Sequence, residues 1–129
     1  MKIYTTYFAN VKNLPHEIVP VAISRGVPRW HSGMKRYLAL APTPDIFYNW
    51  CEFHNEDSYR FEYMQYLNSQ LPRSEILGVL EAMSNGRDVA LVCFERPGEF
   101  CHRHLVAEYI GNVHEWKKDD SKFRQLELF

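Results

Sequence analysis

The sequence has no long hydrophobic run, few cysteines and no dominant charge. No apolar stretch approaches the roughly 18 residues that span a bilayer. No basic segment followed by an apolar one opens the sequence as a secretory leader would. These absences predict a cytoplasmic protein with no membrane partner. Only three cysteines are present, Cys51, Cys93 and Cys101. Their odd number and wide spacing predict no disulfide framework and fit a reducing compartment. The formal net charge of -1 selects no partner by bulk electrostatics and argues against strong non-specific DNA binding by the domain alone. No internal repeat is visible.

What is present points to a globular domain. At 129 residues and 46% hydrophobic content, the chain can build one core and is too apolar for disorder. Charge becomes informative locally. Residues 25–36 carry four Lys/Arg, one His and one Trp, with no acid among them. Within that run, Arg29, Trp30, Lys35 and Arg36 make a candidate nucleic-acid surface, the indole stacking on a base while the cations follow phosphates. A solvated basic loop with one packed Trp is the competing reading.

Periodicity and punctuation divide the chain into alternating strands and helices. Residues 2–8 read as a strand rich in Ile, Thr and Tyr, followed by a connector over 9–15. Residues 18–24 are nearly all apolar, as in a strand buried on both faces of a parallel sheet, although Pro20 prefers an edge. A Gly- and Pro-containing loop covers 25–37, and 38–41 reads as a short strand. Thr43, Pro44 and Asp45 open a helix as N-cap, first-turn proline and dipole-matched acid, which runs to about Phe53 or His54. A second helix fits 58–71, with Phe61, Met64, Leu67 and Leu71 on one side. A third fits 73–83, with Ile76, Val79, Leu80 and Met83 inward and Asn85-Gly86 as its stop. Residues 89–94 are the clearest buried strand. A helix over 100–110 and a short strand over 113–116 follow. The alternation predicts an α/β three-layer domain over 1–116 with a mainly parallel sheet, followed by a charged linker and tail over 117–129.

The segment from Asp88 to Ile110 locates the function. Its apolar strand ends at Glu95, a Pro-Gly turn follows, and Cys101, His102, Arg103 and His104 crowd the first turn of the next helix. A thiol, two imidazoles and a guanidinium at a helix N-terminus stabilise an anion or a thiolate. Ligands of open α/β sheets bind at the carboxyl ends of strands, where this loop lies. Cys101 is the candidate nucleophile, with His102 and Glu95 as proton-handling groups. Arg103, Arg25 and His104 are candidate anion ligands, Arg103 because its planar fork suits phosphate. Arg25 ends the second strand, so in a parallel sheet it faces the same crevice. The competing readings are a merely buried thiol for Cys101, helix capping and ordinary hydrogen bonding to the strand ends for His102 and Arg103, and a structural ion pair for Glu95, while Cys93, inside an apolar strand, reads as core. Cys51 with His54 and Cys101 with His104 add up to a set zinc accepts. Both pairs lie on helices with nothing to bring them together, and no metal is assigned.

These residues carry a resemblance. Val89-Ala-Leu-Val-Cys-Phe-Glu95 followed by Cys101-His-Arg103 resembles the family of bacterial and phage proteins called domain of unknown function 488. Tyr4-Thr-Thr-Tyr-Phe-Ala-Asn10 and Ile23-Ser-Arg25 agree with one branch of it. The resemblance covers most of residues 2–116. It implies a compact Rossmann-like domain and a site built on Glu95, Cys101, His102 and Arg103. At Ser24 this chain departs from many members, which carry an acid earlier in the same element.

The residues 125–129, Gln-Leu-Glu-Leu-Phe, resemble the pentapeptide by which bacterial polymerases and repair proteins dock on the replication sliding clamp. Gln125 fixes orientation by hydrogen bonds, while Leu126, Leu128 and Phe129 supply apolar contacts for a groove. A terminal segment packed on its own domain is the competing reading. Together these features lead to the expectation of a nucleotide- or nucleic-acid-associated protein with an anion pocket, acting as a hydrolase or transferase and docked to the sliding clamp, with DNA or a nucleotide as its other partner. A non-catalytic adaptor or inhibitor of replication or repair, and a Cys101-based redox or metal sensor, are the alternatives. No cofactor is indicated.

Overall fold

The structure, a computed structural model, describes residues 1–95 and 99–117. Five strands, β1 (Ile3–Tyr7), β2 (Val19–Ala22), β3 (Lys35–Arg36), β4 (Val89–Cys93) and β5 (Val113–Glu115), form one sheet in the order β3-β2-β4-β1-β5. Every pairing is parallel. Four helices, α1 (Pro44–Phe53), α2 (Glu56–Gln70), α3 (Arg73–Ser84) and α4 (His102–Ile110), cover it. The α/β class with a parallel, Rossmann-like sheet is as the sequence predicts. Among the described residues, no helix is long and apolar enough to cross a membrane.

Local signals explain most boundaries. The Thr43 hydroxyl accepts from the Ile46 amide, and Pro44 occupies the first turn of α1. Asn55 caps α2 in the same manner through Ser58. Asn85 and Gly86, at φ 55° and 81°, take the left-handed conformations that end α3. β4 is buried at every position, and full burial of each Val or Leu there contributes about 1.5–3 kcal/mol.

Pro20 sits inside the sheet, not at an edge, and the pairing explains why it is tolerated. The amides of Val19 and Ile23 donate to β4, at Asp88 and Val92. Pro20 therefore points its missing donor the other way, toward β3, whose two residues pair only with Val21 and Ala22.

Three expectations are corrected. Residues 38–41 do not form a strand; Leu38–Leu40 is a 3-10 turn that buries Leu40. The edge strand is β3 instead, within the stretch expected to be loop. On α2 and its C-cap, Leu67 and Leu71 are buried and Met64 packs against the core as expected, but Phe61 is exposed and Tyr59 and Tyr63 face inward instead. Tyr63 can face inward because its hydroxyl donates to the Leu40 carbonyl at 2.5 Å, which satisfies its one polar group.

The two faces of the sheet are covered unequally. Ile3, Val21, Val89, Leu91 and Cys93 join the main core beneath α1–α4. Ala22 and Val92 point to the other face and pack with Phe8, Val11, Val27 and Met34. That outer layer is made of the 3-10 turn Phe8–Asn13 and the 25–36 stretch. The chain thus leaves β2 along one face and β4 along the other. A crevice opens at the carboxyl ends of these adjacent strands, which is the topological switch point where open sheets take ligands.

Candidate functional site

A cavity of about 290 Å³ occupies that crevice. Its floor and rim come from Ser24, Arg25 and Gly26 after β2, Phe94 and Glu95 after β4, and Phe100, Cys101 and His102 at the start of α4. Pro42, Phe47, Trp50 and Tyr59 close the side. The volume is near the lower end of small-molecule sites, roughly 300–1,000 Å³, and suits one compact ligand. A larger depression of about 1230 Å³ lies toward the amino ends of β1 and β5. It contains no cysteine, and size alone does not make it the chemical site.

The aromatic wall is continuous. Trp50 lies 4.8 Å from Phe100 and 5.7 Å from Tyr59, and Tyr59 meets Phe100 edge-on at 5.0 Å. Such π faces stack on planar rings. Arg25 also lines the cavity, exposed in the turn after β2, with one guanidinium nitrogen donating to the Pro42 carbonyl. The Ser24 hydroxyl donates to the Gly26 carbonyl and tightens that turn.

Cys101 is the N-cap residue of α4. It is only 3% exposed, and what it shows faces the cavity. The unpaired amides of the first helical turn and the helix dipole favour negative charge on a sulfur there. His102 is buried beside it. Its Nε2 lies 2.7 Å from the Ile23 carbonyl, and Tyr63 holds the ring edge-on. A carbonyl can only accept, so Nε2 carries the proton, and Nδ1 presents a lone pair 3.9 Å from the Cys101 sulfur. Burial pushes the His102 imidazole down to about 4, with Arg103 and His104 adding repulsion. It is neutral at pH 7.

Glu95 lines the cavity half-buried. Its charge, after burial, helps hold the Tyr59 hydroxyl protonated.

Arg103 behaves differently from its expected role as an anion ligand. The side chain is fully buried. Nε and one terminal nitrogen clasp the Glu115 carboxylate at 3.0 and 3.1 Å, and the other terminal nitrogen reaches the Cys93 sulfur at 3.1 Å and the Glu95 carbonyl. Thr5 also donates to Glu115. The fork suited to phosphate is thus committed to β5, and Arg103 ties α4 to the sheet instead of lining the cavity. His104 is half-buried outside the cavity, lowered by burial and by Arg103.

Where no disulfide framework is expected, one pair is found. Cys93 and Cys101 are paired, their Cα atoms 7.7 Å apart. Both bracket one short loop, so the folding of β4 beside α4 brings together thiols that look scattered in sequence. Cys93 is a core residue as well, fully buried. Cys51 is free and exposed, so its pairing with Cys101 toward zinc has no support. The ligand-capable atoms of Cys93, Cys101 and His102 do lie within 4.8 Å of one another, a grouping that could take a thiophilic metal through Nδ1.

In the basic stretch, Arg29 and Trp30 are exposed, the indole at 75%. Lys35 donates to the Met83 carbonyl and Arg36 to that of Arg25, so two of its four candidate cation and stacking groups also serve the fold. The pentapeptide with Gln125, Leu126, Leu128 and Phe129 lies outside the described residues. Sequence reasoning missed the aromatic wall and the Glu115 partner. The wall comes from α1, α2 and two loops, and only tertiary packing assembles it.

The comparisons agree with the motif. Residues 7–114 match the model of a protein family described as the active DUF488-N3 subclade. No curated protein and no solved structure matches the chain.

Proposed function

The chain belongs to the DUF488 family, and on that premise we propose that it is a thiol-dependent hydrolase or transferase acting on a small nucleotide-class substrate. One observation carries the reading: a thiol at a helix N-cap opens into a cavity lined by an aromatic wall and by an arginine. A planar base would stack on Trp50 and Phe100, and an attached phosphate would meet Arg25 and the first amides of α4. In the displacement, the reduced Cys101 sulfur bonds to the electrophilic phosphorus or anomeric carbon and the leaving-group bond breaks. Glu95 takes up the proton lost by the thiol and hands it to the leaving atom; water then cleaves the sulfur bond, and its proton returns through Glu95. The thiol proton departs by way of His102 Nδ1.

The pentapeptide supports the second half of the proposal, recruitment to the replication sliding clamp. The basic 25–36 stretch is consistent with DNA nearby.

The test is a turnover screen of nucleotides and nucleoside monophosphates with the reduced protein, alongside Cys101→Ser. Release of phosphate or base that Cys101→Ser abolishes is the expected result. Binding without turnover, unchanged in Cys101→Ser, would favour a non-catalytic adaptor. For recruitment, purified sliding clamp is titrated with the full chain and with a chain lacking residues 125–129. Micromolar binding that vanishes with the deletion is expected; equal binding or none would sink the docking half.

A further inference from the structure

We propose that Cys93 is the resolving thiol of Cys101, so that peroxide closes a disulfide across the floor of the cavity and switches the site off until a dithiol reopens it. The proposal rests on the reading of Cys101 as the nucleophile.

The asymmetry of the two cysteines carries the inference. Cys101 faces the cavity, where a molecule as small as hydrogen peroxide can reach it. Cys93 closes β4, fully buried, and does not line the cavity. It is therefore closed to substrate and to oxidant in solution. The sulfur in reach is that of Cys101, with which it is paired. Arg103, buried and already clasped by Glu115, puts a guanidinium nitrogen 3.1 Å from the Cys93 sulfur. That contact stabilises the thiolate needed to attack a neighbour. A cysteine kept only for packing needs no cation at its sulfur.

The chemistry balances with peroxide as oxidant. The Cys101 thiolate attacks one peroxide oxygen, the O–O bond breaks, and hydroxide leaves a sulfenic acid behind. The Cys93 thiolate then attacks that sulfur. The S–S bond forms as the S–O bond breaks, and hydroxide leaves again, taking up a proton as water. Two thiol–disulfide exchanges with a dithiol restore both thiols and carry away the oxidised dithiol. While the bond is closed, Cys101 has no lone thiolate for substrate.

The experiment uses the full chain with Cys51→Ser, which removes the exposed free thiol. Reduced protein is treated with hydrogen peroxide, the remaining thiols are alkylated, and peptides are mapped by mass spectrometry with and without later dithiothreitol. The expected result is a Cys93–Cys101 linkage, loss of Cys101 alkylation, and full recovery after dithiothreitol. Cys93→Ala in the same background should instead carry Cys101 to sulfinic acid, with recovery lost. Irreversible Cys101 oxidation in both proteins, with no linked peptide, would overturn the switch, as would stoichiometric zinc held by the two thiols in the purified protein. Should Cys93→Ala fail to fold, the linked peptide in the Cys51→Ser protein decides alone. Failure of the nucleophile reading looks different: Cys101 would then resist both peroxide and alkylation.

Discussion

Cys101 and Arg103 belong to one Cys-His-Arg motif, yet the two ends of the motif face different worlds. Successive helical residues turn by about 100°. Cys101, the extended residue before the helix, looks into the cavity between β2 and β4, while Arg103, inside the first turn, reaches Glu115 on β5. His102 stands between them, buried and neutral, with one nitrogen fixed by β2 and the other toward the thiol. A motif in one helical turn thus divides into a reacting end and an anchoring end. Adjacency in sequence does not make its residues one site.

The division can be broken first at the reacting end. In a turnover assay on the reduced protein, Cys101→Ser should lower kcat on the order of 10⁵-fold, about 7 kcal/mol in the barrier, with the same unfolding midpoint as the reduced parent. Equal losses of stability and turnover would merge the two ends again.

At the anchoring end, Arg103→Ala leaves Glu115 without its buried partner. Urea unfolding should show a loss of about 3–5 kcal/mol. The double replacement Arg103→Met with Glu115→Leu should recover part of it, since removing both charges leaves none unpaired. An Arg103→Ala protein of full stability that had lost only anion affinity would return Arg103 to the cavity.

His102 sharpens the comparison through pH. Its imidazole ordinarily takes up a proton near 6.5 and in the folded chain only near 4. Between those values the unfolded chain binds the proton and the folded chain does not, so acid favours unfolding. Stability from this residue is intact above pH 6.5 and falls as pH drops toward 4, by on the order of 3 kcal/mol. Unfolding midpoints from pH 7 to 4 should show that slope, and His102→Asn should flatten it.

The smallest effect is expected at Arg25, the cation that faces the cavity in place of Arg103. Arg25→Ala should weaken binding of a nucleoside monophosphate about tenfold, roughly 1.4 kcal/mol, without changing the unfolding midpoint. Calorimetric titration reads it directly.

The legible parts of this molecule were those decided locally. Thr43-Pro44-Asp45 marks the start of α1, Asn85-Gly86 the end of α3, and the apolar run before Glu95 is β4. The rule about parallel sheets leads Arg25 and Arg103 to converge on one anion; Arg25 does line the cavity with Cys101 and His102, but Arg103 turns to Glu115. Residues 38–41 were misread because four apolar or aromatic-flanked positions carry no period. On α2 only Phe61 departs from expectation, since tyrosines count as half-polar until a hydroxyl finds its carbonyl, as Tyr63 does at Leu40. Neither the Glu115 clasp nor the Cys93–Cys101 pairing leaves a local trace, since each joins elements whose adjacency only the strand order reveals.

The most direct measurement is the rate of Cys101 alkylation by iodoacetamide against pH, on the reduced, folded Cys51→Ser protein. A nucleophile at a helix N-cap predicts fast labelling at Cys101 that persists well below pH 8.5, the ordinary midpoint of a free thiol, while Cys93 stays unlabelled. Labelling of Cys101 as slow as that of Cys93 across the whole range would contradict the account.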